Sequence, residues 1–160
     1  MLCSEWPDWE KGVVMVEREM VGNKNSVGLE VDEPAWVRWG RWGYLALAWI
    51  LVGCVVAQVF FAGLAIFVDP ADWALHTSFV HAFEFLPVLM LPLVFLGRLP
   101  HLMRWLTALL WVQIMFQYAS ANSGGTMAAL HPVNAMLFFW VAVTLAMRAG
   151  RSVRRAASAR

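Results

Sequence analysis

GYLALAWILVGCVVAQVFFAGLAIFV, residues 43–68, runs for 26 residues without a charged side chain and with one amide, Gln58, in its second half. A membrane-spanning helix needs ~20 mostly apolar residues, so this segment points to hydrocarbon as the solvent. Three further stretches have the same character: 73–96, 102–119 and 127–147. The connections between them are only 69–72, 97–101 and 120–126. Loops that short leave no room for a second domain and make successive helices antiparallel neighbours. The expected fold is all-α: a polytopic membrane protein built as an antiparallel bundle of four transmembrane helices.

Composition agrees. The chain is 61% apolar and 14% charged, with a mean hydropathy of +0.61, whereas a soluble domain is typically ~25% charged. The first apolar run begins late and is too long for the core of a signal peptide, so it reads as a retained anchor. Cys3 and Cys54 form no CxxC pair, and no zinc or iron–sulfur framework is implied.

Charge sets the orientation. Arg38 and Arg41 precede the first span, Arg98 and Arg104 flank the second connection, and Arg148, Arg151, Arg154, Arg155 and Arg160 follow the fourth. The other two connections hold no Lys or Arg, and one carries Asp69 and Asp72. The positive-inside rule then places both termini in the cytoplasm, and the expected location is a bacterial inner (cytoplasmic) membrane. Trp36, Trp39, Trp42, Trp73 and Trp105 cluster at span ends, as interfacial aromatics do. Residues 1–36 form an acidic tail with eight acidic and three basic side chains. This tail is read as a docking cap or a disordered segment. The transmembrane domain is 37–148. Residues 149–160 form a basic tail suited to anionic lipid, and nucleic acid is not an expected partner.

Polar residues inside the spans are few, and ionisable ones are costly in hydrocarbon, so their positions define the candidate site. They are Gln58, His76, His81, Glu84, Gln113, Gln117, His131 and Asn134, and with the orientation above all fall in the outer half. His131 lies about four residues, roughly 6 Å, inside the fourth span, and His76 and His81 about three and eight residues inside the second. His81 and Glu84, Gln113 and Gln117, and His131 and Asn134 are spaced three or four apart, which puts each pair on one helical face. His76 is roughly 140° from His81 around the helix, so the two cannot both point inward. Pro87 and Pro92 interrupt the second helix.

Two imidazoles on facing helices at similar depth are what a b-type haem needs. His131 would pair with His76 or His81, with Gln113, Gln117 and Asn134 orienting the ligands and Glu84 fixing a tautomer or carrying protons. A quinone head group is the alternative occupant, and a divalent metal on His131, His76 or His81 with Glu84 a third. Set against these is a plain structural role: amides in membrane helices often only bond neighbouring helices, at about 0.6 kcal/mol each. The inner halves of the spans are almost free of polar residues, which argues against a self-contained pump. No Ser–His–Asp set, phosphate loop or catalytic carboxylate pair is present, so an independent enzyme is not expected. A second functional reading is a cofactor-free accessory subunit of a larger respiratory, photosynthetic or transport complex.

Gln58, Phe61-Ala62-Gly63, His76, Gly97-Arg98-Leu99-Pro100, Gln117 and Leu130-His131-Pro132-Val133-Asn134-Ala135 together resemble a family of small bacterial four-helix integral membrane proteins of unknown function. The resemblance covers roughly 43–148 and is most specific at the LHPVNA segment. It implies that His76 and His131, not His81, are the residues that matter. A more distant likeness is to haem-binding four-helix modules, haem A synthase and the transmembrane b-type cytochromes, which carry histidines on the second and fourth helices. The glutamate-before-histidine arrangement of haem A synthase is absent, since Glu84 follows His81.

Overall fold

A computed structural model describes residues 33–158. The acidic tail up to residue 32, with Cys3, and the last two residues, with Arg160, lie outside the described residues. Six α-helices and one 3-10 turn make up the rest: α1 (Ala35–Phe67), the turn Pro70–Asp72, α2 (Trp73–Phe83), α3 (Leu86–Leu96), α4 (His101–Ser123), α5 (Gly125–Ala128) and α6 (Leu130–Ser158). There is no strand among the described residues.

The second apolar stretch is one line of chain broken at Glu84–Phe85 into α2 and α3. The cause is Pro87, which has no N–H to give to the Phe83 carbonyl and is tolerated only in the first turn of a new helix. Pro92 sits inside α3 without ending it. α1 and α4 extend beyond their apolar segments, because hydropathy marks the hydrocarbon thickness and not the end of the helix. The connection after α4 turns at Gly124 and Gly125, with φ of +68° and +56°, a left-handed conformation that glycine adopts without steric cost.

Three helical stretches are long and apolar enough to cross a membrane: 35–67, 70–96 and 125–158. The sequence led us to expect four. α4 has 23 residues, so it falls short on apolarity and not on length; Arg104, Gln113 and Gln117 interrupt it. α4 packs against α3 and α6, and α1 packs against α2, α3 and α6. Gly40 of α1 meets Gly97 at the end of α3, and Leu45 meets Gly150 of α6. Gln58 meets His76 at the start of α2, and Asn134 of α6 meets Gln113 of α4.

Each helix buries one stripe at steps of three and four, as helical periodicity requires. On α1 it runs through Tyr44, Ala48, Leu51 and Val55. On α2 and α3 it passes through Phe83, Pro87, Met90 and Val94. Met103, Thr107 and Leu110 carry it on α4, and Phe138, Ala142 and Leu145 on α6. The one buried polar pair in this apolar part is Tyr44 with Thr107, 2.6 Å apart, and Thr107 also donates to the Met103 carbonyl. Large apolar side chains instead face outward: Trp39, Val59, Phe60, Ile66, Met136 and Trp140 are all more than half exposed, a surface compatible with contact to a lipid bilayer.

Candidate functional site

Continuing each buried stripe toward the other end of the bundle changes its chemistry. Three residues beyond Val55 the α1 stripe reaches Gln58. Seven before Phe83 the α2 stripe reaches His76. The α4 stripe passes through Gln113 and Gln117, and that of α6 through Asn134 and His131. All four lines of chain thus turn polar in one stratum, and six of the eight sequence-selected residues converge there.

Two clips hold the stratum together. Between α1 and α2, the Gln58 amide Nε2 donates to the His76 carbonyl at 2.7 Å, and His76 Nδ1 lies 3.1 Å from the Gln58 carbonyl oxygen. Between α4 and α6, Asn134 Nδ2 donates to the Gln113 carbonyl at 2.9 Å and to Gln117 Oε1 at 2.6 Å. His131 Nδ1 lies 3.2 Å from the Gln117 carbonyl. A carbonyl oxygen only accepts, so in both histidines Nδ1 carries a proton, and in the neutral ring Nε2 carries the lone pair. Among the described residues neither Nε2 has a hydrogen-bond partner. The two rings belong to different clips, yet their centres are 6.3 Å apart with planes inclined at 58°. Trp73 sets its ring edge-on to His76 at 5.4 Å. Two buried amide oxygens, Gln58 Oε1 and Gln113 Oε1, also lack a partner.

What this arrangement can hold follows from its donors and acceptors. The unused capacity comprises two imidazole Nε2 atoms and two amide oxygens as acceptors, and the amide N–H groups of Gln113 and Gln117 as donors, among the described residues. Metal–imidazole bonds are ~2.0–2.1 Å, so with a ring radius of about 1.1 Å two imidazoles holding one metal from opposite sides have centres roughly 6.3 Å apart. A bare ion would still want further protein ligands, and no group of three His, Cys, Asp and Glu side chains comes together among the described residues. Two axial imidazoles suffice only where other ligands come from a macrocycle.

His81 and Glu84 stand elsewhere. His81 is off the buried stripe of α2, with its side chain 64% exposed. Its Nδ1 is 3.3 Å from Glu84 Oε1 and 3.3 Å from the hydroxyl of Tyr118 on α4, while Tyr118 donates to Glu84 Oε2. The His81 and Tyr118 rings stack at 6.1 Å. Tyr118 is the site residue that sequence reasoning missed: it follows Gln117 directly and falls off that helix's 113–117 face. His101 is exposed at the start of α4 and receives the Trp105 indole N–H at 3.2 Å.

No curated protein and no solved structure matches this chain. The model of a family of unknown function, DUF6220, matches residues 58–124, a segment that runs from Gln58 through His76, Glu84 and Tyr118 and stops before the LHPVNA segment with His131.

Proposed function

We propose that this chain is a bacterial inner-membrane protein of four antiparallel spans with both ends cytoplasmic, which holds a b-type haem between His76 and His131 and handles electrons near the outer face. The orientation rests on Arg38, Arg41, Arg98, Arg104 and Arg148, which occupy the first part of α1, the α3–α4 junction and the last part of α6, and on the positive-inside rule. α4 is taken as a span, its amides turned inward.

The observation that carries the haem reading is the pair of Nδ1-protonated imidazoles with centres 6.3 Å apart. In metal-ligating histidines the second ring nitrogen usually donates to a carbonyl or carboxylate, fixing the tautomer and making the ligand nitrogen more basic. Both rings meet that condition, each from a different helix, before any ligand arrives. Gln58 and Asn134 each clamp a histidine-bearing helix to its neighbour, and the packing of α1 on α6 joins the two clips. When bound, haem supplies a one-electron couple tuned by its axial ligands and surroundings.

The test is a reduced-minus-oxidised absorption spectrum of protein expressed with ample haem and extracted gently in detergent. The expected result is a sharp b-type α-band, abolished in His76→Ala and in His131→Ala but retained in His81→Ala. A blank spectrum from folded wild-type protein would overturn the haem reading and leave the cofactor-free accessory subunit, to be pursued by co-purification.

A further inference from the structure

The cluster His81–Glu84–Tyr118 is unexplained by the imidazole pair. It faces out of the bundle where His81 and Glu84 meet Tyr118 of α4, and its contacts fix a proton on one ring nitrogen. The Tyr118 hydroxyl spends its proton on Glu84 Oε2, so its oxygen can only accept. Both neighbours of His81 Nδ1, the Tyr118 oxygen and Glu84 Oε1, are then acceptors, and Nδ1 carries the proton. In the neutral ring His81 Nε2 is then a lone-pair acceptor, on a side chain 64% exposed, and among the described residues it has no partner.

We propose that this cluster binds the hydroxyl-bearing head group of a quinol drawn from the bilayer. The inference rests on the spanning arrangement above and not on haem. Lipid chains offer no donor to His81 Nε2, and an acceptor left bare in hydrocarbon is costly. His81 lies eight residues beyond Trp73, roughly 12 Å of helix, in a hydrocarbon core ~30 Å thick. That is deeper than a phospholipid headgroup sits, so the ligand must bring its donor on an apolar body. A quinol does so: a phenolic hydroxyl to donate, a flat ring to lie against the stacked His81 and Tyr118 rings, and an apolar tail. Phe85, just past the α2–α3 break, and Trp111 of α4 pair at 6.3 Å and give an aromatic wall deeper in the same face. Glu84, 15% exposed, is the charge that holds both His81 and Tyr118 in place.

The test uses full-length protein in nanodiscs and the fluorescent quinol mimic 2-heptyl-4-hydroxyquinoline N-oxide. Wild type should quench its fluorescence saturably. His81→Ala and Tyr118→Phe should weaken binding by about tenfold or more, the size of one hydrogen bond to a charged network. A monodisperse elution profile and unchanged helical circular dichroism check that these outward-facing variants fold. His131→Ala should bind the probe as wild type does, whatever its haem spectrum shows. Absence of saturable quenching, equal binding in the His81 and Tyr118 variants, or loss confined to His131→Ala would each overturn the proposal, the last by moving the quinol to the imidazole pair.

Discussion

Replacing Gly40 with alanine should be among the most damaging single-methyl additions in this bundle. A Cβ built there lies 2.6 Å from the Gly97 backbone nitrogen, 2.9 Å from the Leu96 carbonyl carbon and 3.0 Å from Gly97 Cα. None of these is a side-chain tip that can swing away, so relief requires α1 and the end of α3 to separate by several tenths of an ångström. That movement strains the bond from Arg41 Nε to the Gly97 carbonyl, now 2.9 Å. Overpacking costs ~1–3 kcal/mol; with a backbone obstacle we expect the upper end, about 3 kcal/mol. The control is Gly53, also on α1, where an added Cβ meets nothing within 4 Å. Gly53→Ala should be neutral or stabilising by up to about 1 kcal/mol, the helix-propensity gain. The gap between the two variants is therefore about 3–4 kcal/mol on one helix for one chemical change. Reversible unfolding in mixed micelles of increasing SDS fraction, followed by tryptophan fluorescence, measures it. Equal midpoints for the two variants would refute the close α1–α3 approach.

Other substitutions probe the polar stratum and the buried hydroxyl pair. Asn134→Leu removes bonds to Gln113 and Gln117 and leaves Gln117 Oε1 without its donor. The expected loss is about 1–3 kcal/mol in the same unfolding assay. Tyr44→Phe removes the 2.6 Å contact with Thr107 while Thr107 keeps its bond to the Met103 carbonyl. A loss near 1 kcal/mol is expected, with no effect on a bound chromophore. Gln58→Leu releases the α1–α2 clip and should broaden or shift the haem α-band without abolishing it, because His76 Nδ1 still faces the backbone carbonyl of residue 58. Complete loss of the band in Gln58→Leu, with the fold intact, would show that the amide itself is needed to retain the chromophore.

Much of this arrangement was legible in the sequence, and the exceptions have physical causes. The polar stratum was visible because every apolar segment carries its amides and imidazoles toward the same end. The break at Glu84–Phe85 was visible because Pro87 cannot donate. The inward histidine of α2 was harder. His81 with Glu84 looked like a face, and it is one, but the face is turned out of the bundle. Stepping by seven from Phe83 would have singled out His76, since 76, 83, 90 and 97 share one stripe, and Phe83, Met90 and Gly97 are all buried. Tyr118 lay beyond reach for a different reason. Its bond to Glu84 spans 34 residues and depends on how closely α2 and α4 approach, a property of tertiary packing that no local spacing encodes. The apolarity of α4 was overestimated because its polar residues were counted as a site and not also as a cost to spanning.

The balance of donors and acceptors separates a binding stratum from a merely adhesive one. If Gln58, Gln113, Gln117 and Asn134 served only to tie helices together, their polar atoms should be spent on each other, at about 0.6 kcal/mol per contact. Gln117 Oε1 and Asn134 Nδ2 are. Gln58 Oε1 and Gln113 Oε1 are not, and a buried acceptor without a donor costs about 1–3 kcal/mol, more than such a clip returns. The two histidine Nε2 atoms are also unmet, and the Gln113 and Gln117 amide N–H groups are unspent donors among the described residues. The fully buried part of the deficit is the two amide oxygens, which helix adhesion alone gives no reason to leave bare. A ligand that took up the imidazole lone pairs and brought donors to these oxygens would cancel it. Gln113→Leu therefore separates the two readings: a scaffold subunit would be stabilised by losing the bare oxygen, whereas a haem protein would lose affinity for its chromophore.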